Sequence, residues 1–257
     1  MNEQNERHSE EIIAGRNPVT EALRSGRAID HVLIAKDTEG GPLLRIRALC
    51  RERDIVVKDT ARARLDALCG GLNHQGVAAV AAAHEYASLE DILDAAQRRG
   101  EPPFLVIADE ISDPQNLGAI IRTAEAAGAH GVIVPKRGGA GLTAIVAKAS
   151  AGALEYLPVA RVSNLVSTVE ELKKRGVWIY GADMGGRPVF ETDLSGAAAI
   201  VVGSEGAGIS RLLREKCDFL ISLPMKGHIT SLNASVACGI ILYEAVRCRE
   251  NKGKATK

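Results

Sequence analysis

The run Ala197-Ala198-Ala199-Ile200-Val201-Val202 opens directly into Gly203-Ser204-Glu205-Gly206-Ala207-Gly208, and this junction decides the fold. A short, wholly apolar run with β-branched residues at its end reads as a fully buried strand. The glycines after it let backbone N–H groups come close to a ligand. A second run, Phe219-Leu220-Ile221-Ser222-Leu223-Pro224-Met225, leads to Ser231-Leu232-Asn233-Ala234-Ser235, after which Ile240, Ile241, Tyr243 and Val246 recur at helical spacing. Strands that end in ligand loops are the mark of an open α/β sheet. Gly203, Gly206 and Gly208 run in the reverse of the G-x-G-x-x-G spacing of a nicotinamide site, and no GK[ST] phosphate loop occurs.

Upstream, Asp109 and Asp113-Pro114-Gln115-Asn116-Leu117-Gly118-Ala119-Ile120-Ile121-Arg122-Thr123-Ala124 follow the apolar run Phe104–Ala108. Asp113 or Asn116 suits a helix cap, with Pro114 near the first turn. The pattern predicts a helix over 117–127, with Asn116 in the loop before it and Arg122 in its first turns, so that both reach one pocket. An arginine among Leu117, Ile120, Ile121 and Ala124 is either a functional cation or half of a salt bridge to Asp109 or Glu125. Further strands are expected at 131–134, 156–159 and 177–182, and further helices at 144–149 and 165–175.

The first part of the chain alternates too, with strands predicted at 31–35, 55–57 and 77–83 and helices at 18–25, 43–52 and 61–68. Between Arg45 and Arg64 stand seven basic residues (Arg45, Arg47, Arg51, Arg53, Lys58, Arg62, Arg64) against three acidic ones. That local excess is either a phosphate-contacting face or a solvated helix surface. The whole chain has 32 basic and 32 acidic residues, so overall charge gives no support to a nucleic-acid partner. Residues 1–10 are polar and expected to be a disordered tail, without the apolar segment of a signal peptide. The segment 87–101 reads as a linker because Gly100-Glu101-Pro102-Pro103 punctuates it, and 250–257 reads as a basic tail. The domains expected are therefore 11–86 and 102–249.

No apolar run approaches membrane-spanning length, and the five cysteines (Cys50, Cys69, Cys217, Cys238, Cys248) form no CxxC pair. Buried thiols in a cytosolic protein are expected. No His/Cys/Asp set has metal-ligand spacing, so no metal is expected. Three Phe, four Tyr and one Trp are too few for extensive base stacking.

DPQNLGAIIRTAEAAG, GSEGAGIS and LPMKGHITSLNASVACGIILYEAV, in that order, resemble the three motifs of the SpoU (TrmH) family of RNA ribose 2′-O-methyltransferases, in the SPOUT superfamily. The N-terminal module, with Gly15-Arg16-Asn17-Pro18-Val19 and Asn73-His74-Gln75-Gly76, is similar to the ribosomal-protein-like RNA-binding domain of the branch that methylates a guanosine ribose in bacterial 23S ribosomal RNA. The resemblance spans roughly residues 11–249. It implies an α/β domain tied in a deep trefoil knot, a small α/β RNA-binding domain before it, and a cytoplasmic homodimer whose sites are completed across the interface.

The resemblance also implies S-adenosylmethionine as cofactor, held by Gly181, Ala182, Asp183, Gly203, Ser204, Gly206, Gly208, Ile221, Leu223, Met225, Ser231, Leu232 and Ser235. Arg122 matches the arginine that activates the 2′-hydroxyl. A guanidinium stays protonated, which leaves two readings: a locally perturbed base, or a stabiliser of developing negative charge. Asn116 would orient Arg122 or the ribose, Glu205 would hold Arg122 or nearby backbone, and Ser231 and Asn233 would shape the pocket. His228 reads as a solvated loop residue. RNA contacts are expected from Arg16, Asn17, Arg45, Arg47, Arg62, Arg64, Asn73, His74 and Gln75. Transfer RNA as substrate, or a non-catalytic RNA-binding protein on the same fold, are the other readings.

Overall fold

The computed structural model describes residues 12–81 and 84–255, with side chains as far as residue 251; the expected tail at 1–10 lies outside the described residues. The chain divides into two compact units, one up to Glu85 and one from Tyr86, with residues 141–145 grouped with the former.

In the first unit, β1 (Ile12–Ala14), α1 (Arg16–Arg24), β2 (Ile29–Ala35), α2 (Gly41–Glu52), β3 (Val56–Thr60), α3 (Arg62–Cys69) and β4 (Val77–Ala81) alternate. The sheet order is β1-β4-β2-β3, with β2 and β3 parallel and β4 antiparallel to both its neighbours. Val19 and Leu23 from α1 and Leu43, Ile46 and Cys50 from α2 share one core with Val32, Ile34, Val77 and Ala79. Leu65 and Cys69 of α3 pack with Leu33, Ala35 and Ala78, the alternate residues of the same strands. Because strand side chains alternate between faces, α1 and α2 cover one face of this sheet and α3 covers the other.

The second unit contains α4 (Leu89–Arg99), β5 (Phe104–Ala108), α5 (Pro114–Ala126), β6 (Gly131–Pro135), α6 (Ala144–Ala149) from Val146 onward, β7 (Val159–Val162), α7 (Leu165–Lys174), β8 (Trp178–Pro188), β9 (Ala198–Val202), α8 (Arg211–Lys216), β10 (Phe219–Ser222) and α9 (Ala234–Ala255). Its six strands lie in the order β10-β8-β9-β5-β6-β7 and are all parallel. The chain winds outward from β5 through β6 and β7, then crosses to build the other half. The switch point therefore lies at β5 and β9, where ligands of open sheets bind beyond the strand C-termini. Strands buried on both faces read as continuous apolar runs, which is why FLVIA and AAIVV were recognisable from the sequence.

Three expectations are corrected. The segment 87–101 is not a linker: Ser88 and Asp91 form a capping box that starts α4, and Ile92 is fully buried with Leu105, Ile107 and Ile133. The basic tail expected at 250–257 is helical as far as Ala255, where α9 ends. Residues 156–158 precede their strand, which runs Val159–Val162 behind a single 3₁₀ turn at Ala153–Glu155.

Candidate active site

Three strand ends make the site. After β9, Gly203 opens a loop closed on itself by two backbone bonds, Ser204 N–H to Gly208 C=O at 3.1 Å and Gly208 N–H to Ser204 C=O at 2.9 Å. A Cβ on Gly203 would lie 2.0 Å from the carbonyl carbon of Gly208, so no other residue fits there. β8 supplies the second wall. Tyr180 and Gly181 pair with Phe219 and Leu220, but the next β10 residues, Ile221 and Ser222, pair with Arg187 and Pro188. Residues 182–186 thus leave the ladder as an outward loop. The third wall is the segment after β10 and the first turns of α9.

Between these walls lies a cavity of about 360 Å³. Of the residues assigned to cofactor binding, Ala182, Asp183, Gly203, Ser204, Gly206, Gly208, Ile221, Leu223, Met225, Ser231 and Leu232 line it. Gly181 does not; it lies beneath the cavity, where a Cβ would meet Cys217 Sγ at 2.8 Å. Ser235 does not either, because its hydroxyl donates to Asn233 Oδ1 at 2.6 Å and it faces the groove between α5 and α9. Thr230, Ala237 and Ile241 are among the further lining residues; none of the three was assigned from the sequence, although 237 and 241 share a helical stripe with Ala234.

The charged side chains lining the cavity are Asp183 and Glu205, both carboxylates. Asp183 is clamped by Arg214, whose Nε donates to Oδ2 at 2.8 Å and whose Nη2 donates to Oδ1 at 3.3 Å. Gly185 N–H adds a bond to Oδ1 at 2.9 Å. The Arg214 hydrogen bonds, outweighing the opposing effect of burial, hold the Asp183 carboxyl below its ordinary range. Arg214 was not anticipated from the sequence; it sits on the short helix α8, just past the end of the second motif.

Glu205 joins a second cluster. Asn116 Nδ2 donates to Glu205 Oε1 at 3.0 Å, and Asn233 Nδ2 donates both to Glu205 Oε1 and to Asn116 Oδ1, the latter at 2.8 Å. Asn233 Oδ1 meanwhile accepts from the backbone N–H of Ser235 and Val236, which ties α9's first turn to the cluster. Asn116 lies in the first turn of α5, not in a loop. Asp113 is the cap, accepting from Gln115 N–H at 2.9 Å, and with Pro114 it starts the helix three residues earlier than the apolar pattern suggested.

Arg122 is placed differently from expectation. It is exposed, in the third turn of α5, and it makes no hydrogen bond or ion pair with Asn116, Glu205, Asp109 or Glu125 among the described residues. Asp109 is instead buried and accepts from Ser210 N–H at 2.7 Å. Its helix face carries Ala119 and Thr123, the i−3 and i+1 neighbours, which line a shallow groove with Val236, Gly239, Ile240 and Tyr243 of α9. Val236, Ile240 and Tyr243 are exposed.

The residues assigned to RNA contact do not form one patch, because α2 and α3 cover opposite faces of their sheet. Arg47 is paired with Asp59, and Arg62 with Asp37 at 2.9 Å. Arg45, Arg64, Asn17, Asn73 and Gln75 are exposed. His74 is buried, which corrects its assignment as a contact. Gly76 N–H donates to its Nδ1 at 3.0 Å, so Nε2 carries the proton and donates to Asp66 at 2.8 Å. It holds the turn in which Gln75 and Gly76 both have positive φ. Arg16 Nε donates to Gln75 C=O at 3.1 Å.

Of the cysteines, Cys50, Cys69 and Cys238 are buried and Cys217 and Cys248 half-buried, all free. Burial pushes the thiols of Cys217 and Cys238 up to about 12, so they remain unreactive apolar filling. No helix among the described residues is long and apolar enough to cross a membrane.

Comparison with known proteins agrees with this arrangement. Residues 103–243 match the SpoU rRNA Methylase family, and residues 12–87 match the RNA 2′-O ribose methyltransferase substrate binding family. A protein of Bacillus subtilis strain 168 assigned to the TrmH family of tRNA/rRNA methyltransferases is 48% identical over 245 residues, 95% of this chain and 98% of that protein. The SpoU methyltransferase AviRb from Streptomyces viridochromogenes, solved in complex with AdoMet, superposes with a TM-score of 0.60 at 29% identity, covering 96% of this chain and 95% of that one. An AdoMet-bound rRNA methyltransferase from Sinorhizobium meliloti gives a TM-score of 0.56 at 26% identity, over 92% and 86% of the two chains. A domain-length match, a nearly full-length relative and a cavity built from the loops of the second and third motifs together establish that this chain belongs to the SpoU family of RNA methyltransferases.

Proposed function

We propose that this protein methylates the 2′-hydroxyl of a guanosine ribose in large-subunit 23S ribosomal RNA, in the cytoplasm. The cofactor is S-adenosylmethionine, which supplies a methyl group on a sulfonium carbon for in-line displacement by the hydroxyl. The observation that carries this reading is the cavity beyond the C-terminal ends of β8, β9 and β10. Its walls are backbone-rich loops, and its charged lining groups, Asp183 and Glu205, are carboxylates. Such a lining suits a ligand with cationic centres and repels a free phosphate.

The residues then divide the work. Gly206 and Leu223 offer main-chain groups to the cofactor, Ser204 and Gly208 hold their loop closed, and Asp183 is kept ionised by Arg214. The Asn116–Glu205–Asn233 cluster fixes the ends of α5 and α9 on either side of the pocket, and Ser231 shapes its mouth. The Arg122 guanidinium stabilises the negative charge that develops on the attacking oxygen. It can serve a site only if something covers its exposed face. The adjacent groove of Ala119, Thr123, Val236, Ile240 and Tyr243 supports a homodimer formed there, with Arg122 at the joint. Residues 11–86 select the RNA and 102–249, together with α4, carry the chemistry.

The test is transfer of labelled methyl from S-adenosylmethionine to deproteinised large-subunit ribosomal RNA and, separately, to bulk transfer RNA, followed by mapping of 2′-O-methyl groups. Label on a ribosomal guanosine is expected. Label on transfer RNA alone would select that substrate instead, and label on neither would overturn methyl transfer. Sedimentation of a Tyr243→Asp variant as a monomer, against a dimeric parent, checks the interface.

A further inference from the structure

Between α1 and α2 the N-terminal unit has a cavity of about 380 Å³. Arg16, Asn17, Glu21 and Arg24 line it from α1, and Gly41 and Arg45 from the first turns of α2. Three guanidinium groups thus face one carboxylate. The helices themselves add to the positive potential, because both N-termini open on the same space. α1 is preceded by Gly15 and α2 by Gly40, neither start has a side-chain cap, and neither first turn contains an acidic residue. Helix starts leave backbone N–H groups unpaired and carry partial positive charge. No acidic residue answers either start, and the one side chain that accepts there is Gln75, whose Oε1 takes the Arg16 N–H at 3.4 Å.

The arginines of the groove also differ from those around them. Arg47 and Arg62, elsewhere on this unit, are each tied to an aspartate. Arg45 is exposed and has no hydrogen-bond or ion-pair partner among the described residues. Arg16 spends Nε on Gln75 C=O, which orients the guanidinium and leaves its terminal nitrogens unused among the described residues. Arg24 meets Glu21 through a single nitrogen at 3.0 Å in a solvent-exposed pair, which holds it weakly. The exposed amide of Asn17 adds another donor.

We propose that this groove is a phosphate-binding subsite that grips the backbone of the substrate RNA, with Arg16, Arg24 and Arg45 on adjacent phosphodiesters and the two helix starts supplying N–H donors. It rests on the RNA-methylating reading above. Base recognition is not its task, since no aromatic side chain lines it, whereas forked guanidinium groups and helix N-termini match phosphate oxygens. Glu21 is then an internal counter-charge that the RNA displaces from Arg24.

The experiment uses the full chain and deproteinised large-subunit ribosomal RNA, with binding measured across a salt series. Each lost phosphate contact reduces the slope of log K against log salt by about 0.7–0.9, so R24Q/R45Q is expected to lower it by about 1.5. The Michaelis constant for RNA rises, while kcat at saturating RNA and S-adenosylmethionine affinity stay unchanged. Glu21→Gln is expected to tighten binding, an effect that a merely structural role for the groove does not produce. Arg98→Gln, which removes a charge from α4 in the other unit, is the comparison. A double variant whose slope matches that of Arg98→Gln, or a Glu21→Gln protein that binds more weakly, overturns the subsite and leaves the methyltransferase reading intact. A parent protein without salt-dependent RNA binding overturns both.

Discussion

Replacing Glu205 by alanine removes the one acceptor shared by Asn116 and Asn233. Asn116 is 7% exposed, so its Nδ2–H would be left without an acceptor and largely without water, while Oδ1 still accepts from Asn233. An orphaned buried donor costs about 1–3 kcal/mol. In a protein of this size each kcal/mol lowers the melting temperature by about 2–4 °C, so a fall of roughly 2–12 °C is expected. Removing both partners in Asn116→Ala/Glu205→Ala leaves no orphan of that pair. The double variant should therefore lose less than the sum of the single ones, by about 0.5–3 kcal/mol. Glu205→Gln keeps a carbonyl acceptor but gives up the charge, which roughly halves the strength of such bonds, so its loss should be the smallest. Trp178, the sole tryptophan, sits in β8 of the same unit and reports unfolding of this unit in urea. Single and double losses that add to within about 0.5 kcal/mol, or a Glu205→Ala protein as stable as the parent, would refute the idea that these side chains act as one cluster.

Arg122→Ala should leave stability within about 0.5 kcal/mol of the parent and cofactor binding heat unchanged, yet abolish single-turnover methylation; near-normal turnover would remove Arg122 from the mechanism. Asp183→Asn should weaken S-adenosylmethionine binding in calorimetry and change the acid limb of stability. The folded carboxyl is depressed below its unfolded value of about 3.9, so its contribution is fully present above that pH and lost as pH falls through the folded value. The difference between parent and Asp183→Asn melting points should shrink in that window, and a difference that persists into stronger acid would count against the Arg214 clamp. A fragment starting at Tyr86 should fold and bind cofactor, whereas one starting at Pro102 loses Ile92 from the core, a cost of about 2–5 kcal/mol for that side chain alone. Equal melting temperatures for the two fragments would show that α4 is dispensable.

The parts of this molecule that were legible in its sequence are those in which a local pattern and the tertiary requirement coincide. FLVIA and AAIVV announce buried strands because both sheet faces are covered, and Gly203 announces a close backbone approach because nothing larger fits. What stayed hidden depends on partners far along the chain. α4 looked like a linker because its core contact reduces to one short apolar stripe amid charged residues, and only the sheet reveals what Ile92 meets. Arg122 looked inward because its neighbours are apolar, but helical geometry turns it away from Leu117 and Ile121. His74 looked like a contact residue because it stands in a polar turn, whereas its ring is buried to hold that turn. The Arg214–Asp183 clamp joins residues 31 positions apart on separate elements, and nothing local marks it.

The way β8 leaves its ladder and returns has a kinetic corollary. Its outward loop is fastened at Gly181 and again at Arg187, so that wall has two anchors and no hinge. The Gly203–Gly208 loop is latched by its own pair of backbone bonds. Residues 223–232, by contrast, make no backbone–backbone hydrogen bond among the described residues. Its ends are held, at Ser222 against Pro188 and at Asn233 in the Asn116–Glu205 cluster, so only its middle is free of backbone bonds among the described residues. Shortening or stiffening 223–232 is therefore expected to change how long a molecule stays in the pocket far more than how tightly the two latched walls receive it.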